Sequence, residues 1–206
     1  MKNFIIGKAI SFVKKNSDYS DDKLAEIRYG LTSLYLFITK LIIISFIACL
    51  LGIMNEFLIF ILIYNVIKKP SFGLHATKSW ICLVSSSTIF ISFPYFCTFI
   101  YIPVSLKCFL GIVGILLLFK NSPADTHKKP IVNKKRRDIY KFISTSLAIC
   151  YVFLSISINN LFVSNCFITA LLLQCFITAP SAYKMFNIPY DNYKVFLNEH
   201  PEFATN

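Results

Sequence analysis

Six apolar segments, separated by polar turns and basic loops, constrain what this chain can fold into. They cover residues 31–53, 57–67, 79–102, 104–119, 139–158 and 161–179. A helix needs about 20 apolar residues to cross a bilayer, and only the second segment is clearly shorter. That segment would give about 16 Å of helix. We therefore expect six crossings, and the alternative is four crossings with shallow segments.

The composition is too apolar for a soluble domain. Hydrophobic residues make up 56% of the 206 residues, and the mean hydropathy is +0.63. A soluble domain of this length cannot bury so much apolar surface, whereas packed membrane helices expose it to lipid. The sequence predicts an all-α, polytopic membrane protein with a single domain, 1–206. Its parts are an N-terminal region at 1–30, membrane segments at 31–179 and a cytosolic tail at 180–206.

The basic residues predict the orientation in the membrane. They concentrate in residues 1–30, in the loop after the second segment and in the loop after the fourth, whereas the turns at 54–56 and 159–160 carry no Lys or Arg. Loops rich in Lys and Arg stay in the cytosol, so both termini and both basic loops are predicted there. The net charge of +11 favours anionic lipids of the inner leaflet or an acidic peptide as partners. Nucleic acid is disfavoured, because the basic residues lie between apolar segments.

The N-terminus reads as a basic amphipathic helix on the membrane surface. Phe4, Ile5, Ala9, Phe12 and Val13 recur at helical spacing, and two lysines, Lys8 and Lys15, fall on another face. An ordinary solvated leader helix is the alternative. A cleaved signal peptide is disfavoured, because lysines interrupt the apolar stretch.

A histidine and a cysteine, His75 and Cys82, lie where a basic loop meets the third apolar segment. An imidazole beside a thiol can generate a thiolate nucleophile. With Ser79 as N-cap, Cys82 would occupy the first helical turn, where the helix dipole favours a thiolate. On one straight helix the two residues would stand about 10.5 Å apart along the axis. The pair can therefore react only if the chain breaks, for which Pro70 and Gly73 supply the means.

The other six cysteines lie almost entirely in apolar segments and are expected to act as small hydrophobic residues. Their spacings match no metal motif, so we expect no metal and no cofactor. A His-Glu-x-x-His sequence is absent, which disfavours a metalloprotease.

Two motifs carry a resemblance to a known family. The first is Gly73-Leu-His75-Ala followed six residues later by Cys82, preceded by Lys68-Lys69-Pro70. The second is Ser-Pro-Ala-Asp-Thr-His-Lys-Lys-Pro-Ile at 122–131, after the fourth segment. Together with the length, the amphipathic start and the apolar segments, they resemble the AgrB family of accessory gene regulator proteins over nearly the whole chain.

The resemblance implies a function. AgrB proteins are multi-pass membrane cysteine endopeptidases of peptide quorum sensing, which remove the C-terminal tail of an AgrD-type propeptide on the way to a cyclic thiolactone or lactone. By resemblance, Cys82 is the nucleophile, His75 its general base and Gly73 a conformational residue of the loop. Lys68 stands where family members have a basic residue. The family also suggests a homodimer.

The supporting residues stay open between two interpretations. Asp125 either orients His75 or forms a turn or helix cap. Backbone amides near Ser79 are candidate oxyanion donors. Basic residues near the site either hold the acidic propeptide tail or serve topology and anionic lipid contact; they are Lys68, Lys69, Lys134, Lys135, Arg136 and Arg137.

Two other classes of protein remain as alternatives. A transporter or exporter of a small peptide would usually carry several ionisable groups deep in its helices, or two matching halves, and the sequence has one such lysine, Lys40, and no repeat. A membrane scaffold would not need His75 or Cys82.

Overall fold

The computed structural model describes residues 2–17, 19–74, 79–125 and 130–199, which form nine helices and no strand. They fall into two compact units, Met1–Gly52 and Ile53–Asn206. The helices are α1 (Lys2–Asn16), α2 (Asp21–Leu50), α3 (Met54–Ser71), α4 (Ser79–Phe99), α5 (Val104–Asn121), α6 (Lys134–Ser157), α7 (Leu161–Thr178), α8 (Pro180–Met185) and α9 (Asn192–Glu199).

The first unit is a short helix packed against a long one. In α1, Phe4 and Phe12 are exposed while Ile6 is buried, which fits the amphipathic helix predicted at this end. The side chain of Ser20 caps α2 by accepting a hydrogen bond from the backbone N–H of Lys23. Helix α2 then continues without a break through Gly30, so the boundary that the sequence suggested at residue 30 lies inside a helix.

The second unit packs four helices around α7. Helix α7 contacts α3, α4, α5 and α6, and four of its residues with no exposed surface are Cys166, Ile168, Ala170 and Leu171. It carries no charged side chain, so it can take the central position without leaving a buried charge unpaired.

Two glycines of α5 let its neighbours approach closely. A Cβ atom on Gly111 would lie 2.7 Å from side-chain carbons of Val152 in α6, and one on Gly114 would lie 3.1 Å from Leu171 in α7. Small residues at such crossings are the usual way in which membrane helices gain van der Waals contact.

Five helices are long and apolar enough to cross a membrane, which makes this a multi-pass membrane protein. They are α2, α4, α5, α6 and α7. Apolar side chains such as Phe109, Phe142 and Phe153 are exposed on them, as expected for surfaces that face lipid. The predicted count of six crossings is not confirmed.

Helix α3 contains the second predicted crossing and is not among these five helices. It is longer than the apolar run at 57–67, because the helix also includes Glu56 at its start and Lys68 and Lys69 near its end. These charges lower its hydropathy, although its 18 residues equal α5 and α7 in length.

The segment predicted as a tail is folded as far as residue 199. Helices α8 and α9 follow α7, and Tyr183 of α8 has no exposed surface. Its hydroxyl donates to the backbone carbonyls of Ala124 at 3.3 Å and Asp125 at 3.1 Å. The C-terminal segment is therefore attached to the loop that follows α5.

Candidate functional site

The C-terminal ends of α3, α5 and α7 meet at one place, which we call the helix-end junction (residues 71–74, 122–125 and 174–177). The N–H of Ala124 donates to the carbonyl of Ser71 at 3.0 Å, and the N–H of Gly73 donates to the carbonyl of Ala124 at 2.8 Å. The N–H of Leu74 donates to the carbonyl of Ile177 at 3.1 Å. Helix ends leave carbonyls without partners, and these bonds satisfy two of them. The junction thus fixes the chain up to the residue before His75.

Gly73 is required by this geometry on two grounds. Its φ of +118° is a conformation that residues with a side chain rarely adopt. A Cβ atom on it would also lie 2.7 Å from Cγ2 of Ile177 and 3.3 Å from the carbonyl oxygen of Ile177. The conformational role that the family resemblance gave Gly73 therefore has a physical basis.

Gln174 holds the same stretch of chain from the side of α7. The side chain has no exposed surface, and its Nε2 donates to the carbonyl of Phe72 at 2.8 Å. Phe72 has a φ of +58°, and its ring packs edge-on against Tyr140. Sequence reasoning missed Gln174, although an amide between Leu173 and Cys175 in an apolar segment was a signal.

The predicted break between Pro70 and Cys82 is confirmed. Helix α3 ends at Ser71, and α4 begins at Ser79 as the structure describes it. Cys82 is the fourth residue of α4 and is half-buried, with its Sγ atom 4.0 Å from Oγ of Ser86.

His75 lies outside the described residues, as do 76–78 and the side chain of Ser79. The distance between the imidazole and Sγ of Cys82 therefore stays a prediction. The junction does limit the geometry: Leu74 is fixed, and the five residues from Leu74 to Ser79 can span at most about 18 Å.

Asp125 is buried, and both oxygens of its carboxylate are occupied. Oδ1 accepts the backbone N–H of Asn192 at 3.1 Å, and Oδ2 accepts those of Tyr193 at 2.8 Å and Ile131 at 3.4 Å. Two of these amides belong to the first turn of α9, so Asp125 caps that helix. Burial raises the pKa of Asp125, while the amide bonds and Arg137 oppose the rise. These contacts support the cap interpretation over a role in orienting His75.

A basic pocket of about 460 Å³ adjoins the junction and shares Ser122 and Pro123 with it. Four basic side chains line it, against two acidic ones, Asp138 and Asp191, of which Asp191 pairs with Lys194. The guanidinium of Arg137 stacks on the ring of Tyr193 at 3.2 Å from its centre. The basic residues are Lys120, Lys134, Arg137 and Lys141.

Only some of the basic residues that the sequence proposed for binding a peptide tail line this pocket. Lys134 and Arg137 line the pocket, whereas their neighbours on α6, Lys135 and Arg136, do not. Sequence reasoning missed Lys120 and Lys141 for this role. The spacing of 134, 137 and 141 was the available signal, since it places three cations on one helix face.

The remaining two basic residues that the sequence proposed for the peptide tail belong to α3. Lys68 lies over the ring of Tyr64, and Lys69 is exposed.

In the part of the chain that the structure describes, no three His, Cys, Asp or Glu side chains come together to hold a metal ion.

Long apolar helices that expose apolar side chains, with a polar site at one end of the bundle, define a polytopic membrane protein. Comparison with known proteins gives its family. The family model described as Accessory gene regulator B matches residues 6–178. The chain therefore belongs to the AgrB family.

Individual relatives agree with this assignment. The accessory gene regulator protein B of Staphylococcus aureus strain MW2 is 30% identical over 151 residues, which cover 72% of this chain and 81% of the relative. An AgrB-like protein of Clostridium acetobutylicum is 25% identical over 174 residues, covering 84% and 83%. An AgrB-like protein of Listeria monocytogenes is 27% identical over 173 residues, covering 83% and 84%. No solved structure matches the chain.

Proposed function

We propose that this protein is a membrane cysteine endopeptidase of peptide quorum sensing. It removes the C-terminal tail of a small AgrD-like propeptide through a thioester on Cys82, and the product becomes a cyclic thiolactone or lactone. The main support is the placement of Cys82 in the first turn of α4, shortly after residues 72–74, which the helix-end junction holds by hydrogen bonds.

The chemistry follows from a thiol and an imidazole. His75 takes the proton of Cys82, and Sγ attacks the carbonyl carbon that precedes the tail. The C–N bond then breaks, and the imidazolium gives its proton to the departing amine. Backbone amides at the start of α4, between Ser79 and Cys82, can stabilise the oxyanion.

The acyl-enzyme has two fates. Water would release a linear peptide. A thiol or hydroxyl within the substrate instead attacks the thioester carbonyl, expels Sγ and closes a ring. Thioester exchange is nearly balanced in free energy, whereas the first step, from amide to thioester, is uphill. Loss of the tail or export of the ring must therefore draw the reaction forward.

We also propose that the basic pocket binds the acidic tail of the propeptide. The pocket adjoins the loop that leads to His75, so a bound tail would lie beside the bond to be cut. Cationic side chains in a concave site attract and orient an acidic segment. On this proposal the pocket end of the protein faces the cytosol, where basic loops are retained.

The decisive test replaces Cys82 by Ala and incubates membranes with candidate small propeptides, read by mass spectrometry. We expect the variant to insert normally and to lose both cleavage and the covalent adduct. Cys108→Ala is a matched control, because Cys108 is also half-buried but lies in α5. Intact processing by Cys82→Ala would contradict the peptidase and would favour a peptide exporter without proteolytic activity.

A second test separates the tail pocket from general charge effects. Lys134→Gln removes a lining cation, whereas Lys135→Gln removes its exposed neighbour. We expect the first variant to raise KM by about tenfold, equivalent to about 1.4 kcal/mol, and the second to change KM little. Equal effects of the two substitutions would indicate a role in topology or lipid contact instead.

A further inference from the structure

One side of the basic pocket is built by the C-terminal segment that follows α7. The residues of this segment that line the pocket are Tyr190, Asp191, Tyr193 and Leu197. The family model matches residues 6–178, so these four lie beyond the part of the chain that it matches. Membership of the family therefore gives them no role, and their contacts are the evidence for one.

Hydrogen bonds hold the backbone of this segment against the loop after α5. The hydroxyl of Tyr183 donates to the carbonyls of Ala124 and Asp125. The ring of Tyr190 packs edge-on against that of Tyr183, with 5.1 Å between the ring centres. The backbone N–H of Tyr193 donates to Oδ2 of Asp125 at 2.8 Å. The place of Tyr193 beside α6 is thus set by its backbone, and its ring is available for a contact of its own.

That contact is with Arg137 of α6. The guanidinium carbon of Arg137 lies 3.2 Å from the centre of the Tyr193 ring, and both side chains are half-buried. An aromatic ring attracts a guanidinium stacked on it and restricts its motion, while the N–H groups at the edge of the guanidinium stay free to donate. The ring therefore fixes the plane in which Arg137 offers its hydrogen bonds to the pocket.

The acidic side chains around Arg137 do not use these donors. Asp125 accepts three backbone amides, and Asp191 pairs with Lys194. Asp138 is the next residue on α6, and consecutive helix positions do not face each other. None of them forms an ion pair with Arg137 among the residues that the structure describes. Two parallel N–H groups of a guanidinium match the two oxygens of a carboxylate, so the ligand that fits is a carboxylate of another molecule.

We propose that Tyr193 is a positioning residue for substrate recognition: its ring holds the guanidinium of Arg137 in the orientation that binds a side-chain carboxylate of the propeptide tail. This inference rests on the proposed function, in which the basic pocket binds that tail. The C-terminal segment then takes part in selecting the substrate. A tail with Asp or Glu opposite Arg137 binds more tightly than one with an amide there, because an amide offers one acceptor oxygen and no charge.

The test compares Tyr193→Leu with Tyr193→Phe in the full-length protein. Leucine removes the ring and keeps an apolar side chain, whereas phenylalanine keeps the ring. We expect Tyr193→Leu to raise KM for a cleaved propeptide about fivefold at nearly unchanged kcat, and Tyr193→Phe to keep the KM of the wild type. Val195→Ala is the matched control, because Val195 is an exposed residue of α9 that does not line the pocket.

Substitutions of Arg137 show whether the ring acts through the guanidinium. In an Arg137→Gln background, Tyr193→Leu should add little to KM, because the two residues form one unit. Arg137→Lys keeps the charge but loses the planar donors, so it should raise KM as much as Tyr193→Leu does. It tests the same contact from α6 if Tyr193→Leu releases α9, which faster proteolysis after residue 185 would reveal. An unchanged KM in both variants, or the full effect of Tyr193→Leu in the Arg137→Gln background, would overturn the inference.

A binding measurement separates this inference from the peptidase itself. A fluorescently labelled oligoglutamate peptide is titrated into the Cys82→Ala protein in phosphatidylcholine nanodiscs, with an oligoglutamine peptide of equal length as the comparison. Tyr193→Leu should raise Kd for oligoglutamate about fivefold, and Tyr193→Phe should not.

The two proposals fail separately. If Cys82→Ala still cleaves, the peptidase is wrong, whereas the Kd values decide the role of Tyr193 by themselves. If Cys82→Ala is inactive but oligoglutamate binds equally to the wild type and to Tyr193→Leu, only the role of Tyr193 is wrong. Equal binding of oligoglutamate and oligoglutamine would also overturn the inference, because the pocket would then not recognise carboxylates on a peptide.

Discussion

At the scale of single residues, Gly73 allows the backbone that follows α3 to adopt its conformation. Its positive φ and its contact with Ile177 leave no room for a side chain. Phe72, immediately before it, also has a positive φ, which costs a residue with a side chain about 1–3 kcal/mol. The hydrogen bonds of the helix-end junction and the bond from Gln174 offset that strain.

We predict that Gly73→Ala strongly impairs cleavage while the protein still inserts into the membrane. The added methyl meets Cγ2 of Ile177 and strains the backbone, at a cost of about 1–3 kcal/mol concentrated in the loop. Cleavage of a propeptide by purified protein measures the effect. Gly30→Ala is the control, since Gly30 lies in α2 with open space around it. A Gly73→Ala variant with wild-type turnover would show that the loop can take another course.

At the scale of elements, the C-terminal segment is attached to the site through α9. The carboxylate of Asp125 bonds the first amides of α9, and Tyr183 bonds the carbonyls of the same loop. That loop in turn bonds Ser71 and Gly73. A continuous set of hydrogen bonds therefore connects α9 to residues 71–73, before His75.

We predict that Asp125→Ala releases α9 without unfolding the membrane helices. Loss of a helix cap typically costs about 0.5–2 kcal/mol. Limited proteolysis should then cut more rapidly after residue 185, while the protease resistance of α4 to α7 is unchanged. Asp138→Ala, an exposed acidic residue of α6, is the comparison. Equal protease resistance of the wild type and Asp125→Ala would mean that α9 does not depend on this cap.

The pKa of Asp125 gives a pH dependence with a definite sign. Burial raises this pKa above 3.8, so the folded protein binds the proton more tightly than the unfolded chain. The proton-linked part of the contribution of Asp125 to stability is then complete below the unfolded pKa and is lost as the pH rises through the folded pKa, whereas its hydrogen bonds to α9 remain. Thermal unfolding in detergent should show this fall in the wild type and not in Asp125→Asn. The same slope in both proteins would assign it to another group.

At the scale of the whole molecule, charge separates the two ends of the second unit. The end that contains the helix-end junction carries the basic residues of α3, α5 and α6, and the basic pocket lies there. Lys107, near the start of α5, is the exception at the other end. It is buried and donates to Oγ of Ser164 in α7, so it bonds two helices of the bundle to each other.

We predict six crossings, with α3 as the second and both termini in the cytosol. Helix α3 equals α5 and α7 in length, and its C-terminal end meets theirs at the junction. Single cysteines at Asn55 and Asn159 should react with an impermeant maleimide from outside intact cells, and one at Lys135 only after lysis. Reaction at residue 55 only after lysis would mean that α3 does not cross.

The sequence predicted much of this protein, and the reasons are specific. Apolar segments located the membrane helices, because transfer from water to lipid depends on composition over about 20 residues. The need to bring His75 near Cys82 predicted a break after Pro70, and α3 does end at Ser71. The family assignment from two short motifs is confirmed by a family model that covers residues 6–178.

What the sequence alone determined was the class of protein and its family, because hydropathy and residue type are local properties. Only the tertiary structure decided that Asp125 caps α9, that Gln174 holds Phe72 and that Lys134 rather than Lys135 lines the pocket. Those pairings join residues far apart along the chain. They arise because helix ends leave carbonyls and amides that must find partners wherever packing brings them, and no local pattern encodes which partner that will be.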